Sequence, residues 1–118
     1  MGDISPHFNR QEFTCRCGCG FAAVSSELVA LLENVRLAFD APVSIHSGCR
    51  CEAHNAAVGG KKRSEHLTGN AADIVITGIT PSQVYRWLSQ RYPDTLGLGL
   101  YHTFVHVDVR RARARWRG

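Results

Sequence analysis

The stretch from Gly97 to Val109 (Gly-Leu-Gly-Leu-Tyr-His-Thr-Phe-Val-His-Val-Asp-Val) constrains the fold more than any other part of the chain. Two strand-like runs flank His102-Thr103, a link so short that the runs must pair antiparallel as a hairpin. Alternation puts Val105, Val107 and Val109 on one face of the second strand, and His106 and Asp108 on the other. Three valines on one side fit a core, so the hairpin belongs to a sheet with a packing partner. The polar face has two readings at this point: a solvated surface, or one wall of a site.

The packing partners are legible. Ser25 and Ser26 are N-cap candidates for a helix over about 26–39. Leu28, Leu31, Leu32, Val35 and Phe39 recur there at helical spacing and form one apolar stripe. Pro42 closes that helix, and Val43 and Ile45 alternate with Ser44 and His46 in a short strand. A short helix fits near 52–57, and Ile74-Val75-Ile76 reads as a strand. A second long helix starts with Pro81 in its first turn and places Val84, Trp87 and Leu88 on one face. This order of elements predicts a small single α+β domain, helices packed on an antiparallel sheet, over residues 1–118. A length of 118 residues agrees with one domain, and 44% hydrophobic with 20% charged residues excludes a disordered chain. No apolar run approaches the roughly 18–20 residues of a membrane span, so membrane insertion is not expected. The opening Met1-Gly2-Asp3-Ile4-Ser5-Pro6-His7 has neither the basic nor the apolar part of a secretory signal, and the expectation is a chain cytoplasmic on synthesis.

Two segments stand apart from this core. Residues 1–24 are rich in Cys and Gly and turn-forming over 7–21, a loop pinned to the body by something other than secondary structure. Residues 110–118 carry Arg110, Arg111, Arg113, Arg115 and Arg117, much of the excess behind a formal charge of +4. Such a tail is either a solvated, partly mobile end or an attractor of nucleic acid, anionic lipid or cell-wall polymer. No recognition helix, zinc-finger spacing or aromatic-studded basic sheet accompanies it, so nucleic acid is not an expected partner. Five cysteines fall in two groups, Cys15, Cys17 and Cys19, then Cys49 and Cys51. Five is odd, and Cys-x-Cys is tight for a disulfide. The groups suit a second, structural metal such as zinc, against the plainer reading of reduced thiols or one disulfide between them.

Three further residues offer metal ligands. His66 lies in a loop, Asp73 enters a strand, and His106 projects from the last hairpin strand. Two imidazoles and a carboxylate, with a fourth position for water, form the ligand set of a catalytic zinc site. No His-Glu-x-x-His motif is present.

These residues lie in ordered motifs. Ser47-Gly48-Cys49-Arg50-Cys51-Glu52-Ala53-His54-Asn55, then Val58-Gly59-Gly60, resembles the "SGYR-x-P-x-x-N…VGG" stretch of zinc D-Ala-D-Ala carboxypeptidase-like peptidases. Ser64-Glu65-His66-Leu67-Thr68-Gly69-Asn70-Ala71-Ala72-Asp73 is similar to that family's "S-x-H-x-x-G-x-A-x-D" motif, and the hairpin to its "GxGxY…FVHxD". His7-Phe8-Asn9-Arg10-Gln11-Glu12-Phe13 resembles its "NFxxxEF" opening. The resemblance runs from about residue 7 to Trp116. It implies the fold shared by lysostaphin-type peptidases and the Hedgehog signalling domain, with the site on the sheet and zinc held by His66, Asp73 and His106. It implies Arg50 and Ser64 in substrate binding, Arg50 also stabilising developing charge. The expected activity is zinc-dependent hydrolysis of an amide in peptidoglycan stem peptides or cross-links, by a monomer acting on the cell wall once released, as a phage lysis or virion protein would.

The chain departs from the pattern in places. Cys49 stands where the family has Tyr, and Glu52 where it has Pro. Thr103 stands where many relatives carry an acidic residue three positions before the last ligand. Asp108 is then the first choice for the general base, with His102 and Glu65 behind it, and the competing role for Asp108 is to orient His106. Thr103 also opens an alternative: a zinc-bearing module that binds wall peptide or a protein partner without cutting it.

Overall fold

The computed structural model describes residues 2–19, 24–59 and 64–118. Three helices, α1 Ser26–Phe39, α2 Glu52–Ala57 and α3 Pro81–Arg91, alternate with five strands. The strands are β1 Val43–Ser47, β2 Ala71–Ile76, β3 Gly97–Leu100, β4 Val105–Asp108 and β5 Ala114–Arg117, in the spatial order β1-β2-β4-β3-β5. Two 3-10 helices, Arg10–Phe13 and Glu65–Thr68, complete the elements of a single α+β domain.

Local chemistry explains the boundaries. Ser25 caps α1 by accepting the Leu28 N–H at 3.1 Å, and Asp40 ends it in the left-handed conformation (φ 48°). Pro81 opens α3 behind Thr80, which exchanges hydrogen bonds with Gln83 as a capping box. The apolar stripe of α1 buries Leu28, Leu32 and Val35 against Ile45, Ile74 and Ile76 of β1 and β2, and α3 adds Val84 and Leu88. Val105 and Val107 are fully buried in this core, as the alternation of the hairpin requires. Removing apolar surface of this kind from water is the main term that holds the domain together. Among the described residues, no helix is long and apolar enough to cross a membrane.

The N-terminal segment is tied down by polar clamps and aromatic burial. Phe8 and Phe13 are buried in the core. Glu33 of α1 accepts the Ser5 hydroxyl at 2.6 Å and the His7 N–H at 2.7 Å. Burial pushes the Glu33 carboxyl up, but these donors prevail and its pKa lies below the ordinary value.

Two expectations need correction. The sheet is not wholly antiparallel: β5 pairs parallel to β3, with Gly97 opposite Ala114 and Leu100 opposite Arg117. The same strand overturns the reading of 110–118 as a solvated, mobile tail. The Arg115 guanidinium donates to the carbonyls of Tyr92, Thr95 and Leu96 at 2.8, 3.0 and 2.7 Å, closing the end of α3 against β5. The Trp116 indole N–H donates to the Tyr101 hydroxyl at 3.0 Å. Part of the glycine-rich stretch after Val58 lies outside the described residues.

Candidate metal centre

Asp73 on β2 stands directly opposite His106 on β4 in the antiparallel register, so both side chains leave the same face of the sheet. His66 comes from the 3-10 helix Glu65–Thr68. Ser64 caps that helix, its hydroxyl accepting the His66 N–H at 3.2 Å. One nitrogen of each ring and one Asp73 oxygen lie within 4.8 Å of one another, and all three residues are buried. The sheet and one capped turn thus bring together three residues spread over 41 positions of sequence, from 66 to 106.

Hydrogen bonds fix which atoms face inward. His66 Nδ1 lies 2.6 Å from the Gly48 carbonyl oxygen. A carbonyl only accepts, so Nδ1 carries the proton and Nε2 presents a lone pair. That Nε2 is buried without a hydrogen-bond partner, 3.3 Å from Asp73 Oδ1. On the other ring, Nε2 donates to Asp108 Oδ2 at 2.8 Å, and Nδ1 faces Asp73 Oδ1 at 3.1 Å. Two ring nitrogens and an anionic oxygen converge on one point, where only protons or a cation relieve their mutual repulsion. Nitrogen and oxygen donors in this number suit zinc, and leave room in its coordination for a fourth ligand. The residues present fit that ion.

The electrostatics agree. Burial pushes the Asp73 carboxyl up, but the adjoining His106 and His66 rings outweigh it and hold its pKa at about 2. Burial of His106 disfavours its charge, yet Asp108 and Asp73 prevail and raise its pKa above the ordinary value. A metal at this ring therefore competes with protons.

Asp108, expected as the general base, has both carboxylate oxygens engaged by the protein. It is fully buried. Its Oδ1 accepts from the Gly97 N–H at 3.2 Å and from Arg110 Nε at 2.7 Å, and Oδ2 accepts from Arg110 Nη2 at 2.8 Å and from His106. Despite burial, which raises it, the His106 and Arg110 contacts hold its pKa far below the usual carboxylate range. A carboxylate so committed keeps the His106 ring in one tautomer and one orientation. Of the other acid–base candidates, His102 is exposed in the β3–β4 turn, and Glu65 accepts from Asn70 Nδ2 at 3.4 Å.

Arg50, expected to bind substrate, lies beside the cluster. Its backbone N–H donates to the His66 carbonyl at 2.9 Å, and its Nη2 lies 3.4 Å from Asp73 Oδ2. Ser47 and Asn55 hold the same guanidinium at 3.3 and 3.4 Å. Of the five cysteines, the structure gathers Cys15, Cys17, Cys19 and Cys51. Cys49 is not in the group: its buried thiol donates to the Phe13 carbonyl at 2.9 Å.

Sequence reasoning passed over Trp116 and Arg110. The Trp116 ring packs against His106 with centroids 5.1 Å apart, and the Arg110 guanidinium lies 5.4 Å from the Trp116 ring centre. The glycines of the hairpin make this packing feasible. A Cβ at Gly97 would come within 2.3 Å of Asp108 Oδ2, and one at Gly99 within 2.3 Å of Trp116 Nε1. The Gly-x-Gly pattern is therefore the footprint of two side chains that cross β3. Trp116, an aromatic among arginines, was the available signal.

A buried His/Asp/His cluster on a mostly antiparallel sheet, with a buried carboxylate behind one histidine, defines the class as an α+β domain with a candidate metal centre. The chain matches the Peptidase M15 family over residues 6–108 and belongs to it, a family of metallopeptidases. The matched span holds His66, Asp73 and His106, together with Arg50 and Asp108, and ends before β5. No curated protein and no solved structure matches the chain.

Proposed function

We propose that the protein is a zinc-dependent peptidase that hydrolyses an amide bond in peptidoglycan stem peptides or their cross-links. The observation that carries this reading is the buried, unpartnered Nε2 of His66, aimed with His106 Nδ1 at Asp73. When bound, zinc supplies Lewis acidity, which polarises an amide carbonyl and acidifies water. The chain's own residues do the rest. The Gly48 carbonyl fixes the His66 tautomer, and Asp108, braced by Arg110, fixes that of His106. Arg50 binds a substrate carboxylate or carbonyl oxygen, and Ser64, whose hydroxyl caps the turn that carries His66, is the second candidate contact. With Asp108 committed to His106, proton transfer falls to Glu65 or His102. A wall peptide as substrate rests on the motif resemblance, and the exposed Arg111, Arg113 and Arg117 favour encounter with an anionic polymer. The protein acts as a monomer, made in the cytoplasm and working on the wall after release.

Purified muropeptides incubated with the zinc-loaded protein should yield fragments that together contain one added water, as read by mass spectrometry. His66→Ala should yield none while keeping the far-UV spectrum of the parent. Equal product from that variant would overturn the proposal. A second reading, a wall-peptide binder without turnover, is favoured by Thr103 and by the full occupation of Asp108. Retention of muropeptide with no product would select it.

A further inference from the structure

A second group of ligands lies outside the His/Asp/His cluster. Cys15 Sγ is 3.4 Å from Cys17 Sγ and 3.8 Å from Cys51 Sγ, and Cys17 and Cys51 are 3.6 Å apart. Cys19 joins them, with all four sulfurs within 4.8 Å of one another. These are not disulfides, whose sulfurs sit at about 2.05 Å, and all five cysteines are free. They are the right lengths for something else. A tetrahedron with metal–sulfur bonds of about 2.3 Å has edges of about 3.8 Å.

The backbone is shaped to the same end. Gly18 turns the chain with φ 84°, and its N–H donates to the Cys15 carbonyl at 3.3 Å, so three alternate cysteines curl toward one side. The Cys51 N–H points at Cys15 Sγ and the His54 N–H at Cys51 Sγ, each at 3.4 Å. Such donors favour thiolate over thiol. Cys49 does not join, because its thiol donates to the Phe13 carbonyl instead.

The geometry points to a closed tetrathiolate site at Cys15, Cys17, Cys19 and Cys51 that holds one structural zinc ion. Four protein sulfurs fill a tetrahedral shell and leave no place for substrate, so the role is to hold the chain together. Loading the site sends the thiol protons to solvent and changes no oxidation state. It ties the turn at 15–19 to the residue that follows Arg50. This inference does not depend on the hydrolase reading.

The test is metal content of the full chain after loading with zinc and desalting. The wild type should hold two ions per chain, His66→Ala one, the Cys17→Ser/Cys19→Ser double variant one, and Cys49→Ala two. Loading with cobalt should give thiolate-to-metal charge-transfer absorption in the wild type and in His66→Ala, and lose it in the double variant. A wild type with no such absorption overturns the inference even if the double variant fails to fold. So does a double variant that still holds two ions. Iron bound there in preference to zinc, seen as coloured protein on expression, overturns the choice of metal. Thiolate absorption with only one ion in the wild type supports this site and counts against the His/Asp/His centre, so the two failures are separable.

Discussion

The two ligand clusters are held by opposite means. His66, Asp73 and His106 are buried and stand on paired strands and a capped turn, so register and hydrogen bonds set their positions without a metal. The four cysteines come from a turn and the start of α2, and Cys17 and Cys19 are exposed. The first cluster offers three donors of nitrogen and oxygen and room for a fourth ligand, while the second offers four sulfurs and closes. A rigid frame with an incomplete shell suits chemistry; a soft loop with a complete shell suits a staple. On the proposed reading, one small domain keeps binding for reaction apart from binding for cohesion.

Each prediction tries to break that division. The largest effect is expected from the ligands themselves. His66→Ala should abolish muropeptide hydrolysis while leaving the sheet's circular dichroism signal in place, since His66 is not among the side chains of the apolar core. Next is Asp108→Asn, which keeps the shape but spoils the acceptor for His106 Nε2. Zinc affinity by competition titration, or activity, should fall about 10–100-fold. A change in the pH profile alone, with affinity intact, would restore Asp108 as the base.

Arg115→Ala removes the donor to three carbonyls at the end of α3, and urea unfolding should show a loss of about 1–3 kcal/mol. The neighbouring Arg113→Ala should stay within about 0.5 kcal/mol, because its side chain is exposed. Equal effects of the two would return the C-terminus to a solvated tail. The smallest effects come from pH on the metal-free chain. Asp73, with its pKa depressed to about 2, contributes stability that is present above its ordinary range and lost as pH falls through that value. His106, with its pKa raised, contributes stability that is full below its ordinary value and lost as pH rises through the raised one. Zinc binding runs the other way and should tighten as pH rises, since it needs the neutral imidazole. Pulse-proteolysis and zinc titration across pH check the two trends.

How much of this was legible in the sequence differs by region. The helix at 26–39 and the start of a second at Pro81 were, because caps and apolar spacing are local signals. So was the trio His66, Asp73 and His106, where motif order did what spacing alone could not. Strand alternation placed His106 and Asp108 on one face correctly, but period alone cannot say which of two adjacent polar residues meets the metal and which braces it. That depends on Arg110 and Gly97, which reach Asp108 only in the folded sheet. Strand β5 was hidden because Ala-Arg-Trp-Arg is four residues long and half arginine, so its short alternation reads as part of a basic tail; its parallel register with β3 rests on Arg115 and Trp116 contacts made across the fold. The cysteine set was overcounted by one, since the side on which Cys49 emerges depends on its contact with Phe13.

The central claim is that His66, Asp73 and His106 share one zinc ion. Anomalous diffraction at the zinc absorption edge from crystals of the zinc-loaded protein tests it most directly. The account predicts a strong peak between His66 Nε2, Asp73 Oδ1 and His106 Nδ1. Full zinc loading with no peak there, or with those three side chains turned apart, would contradict it.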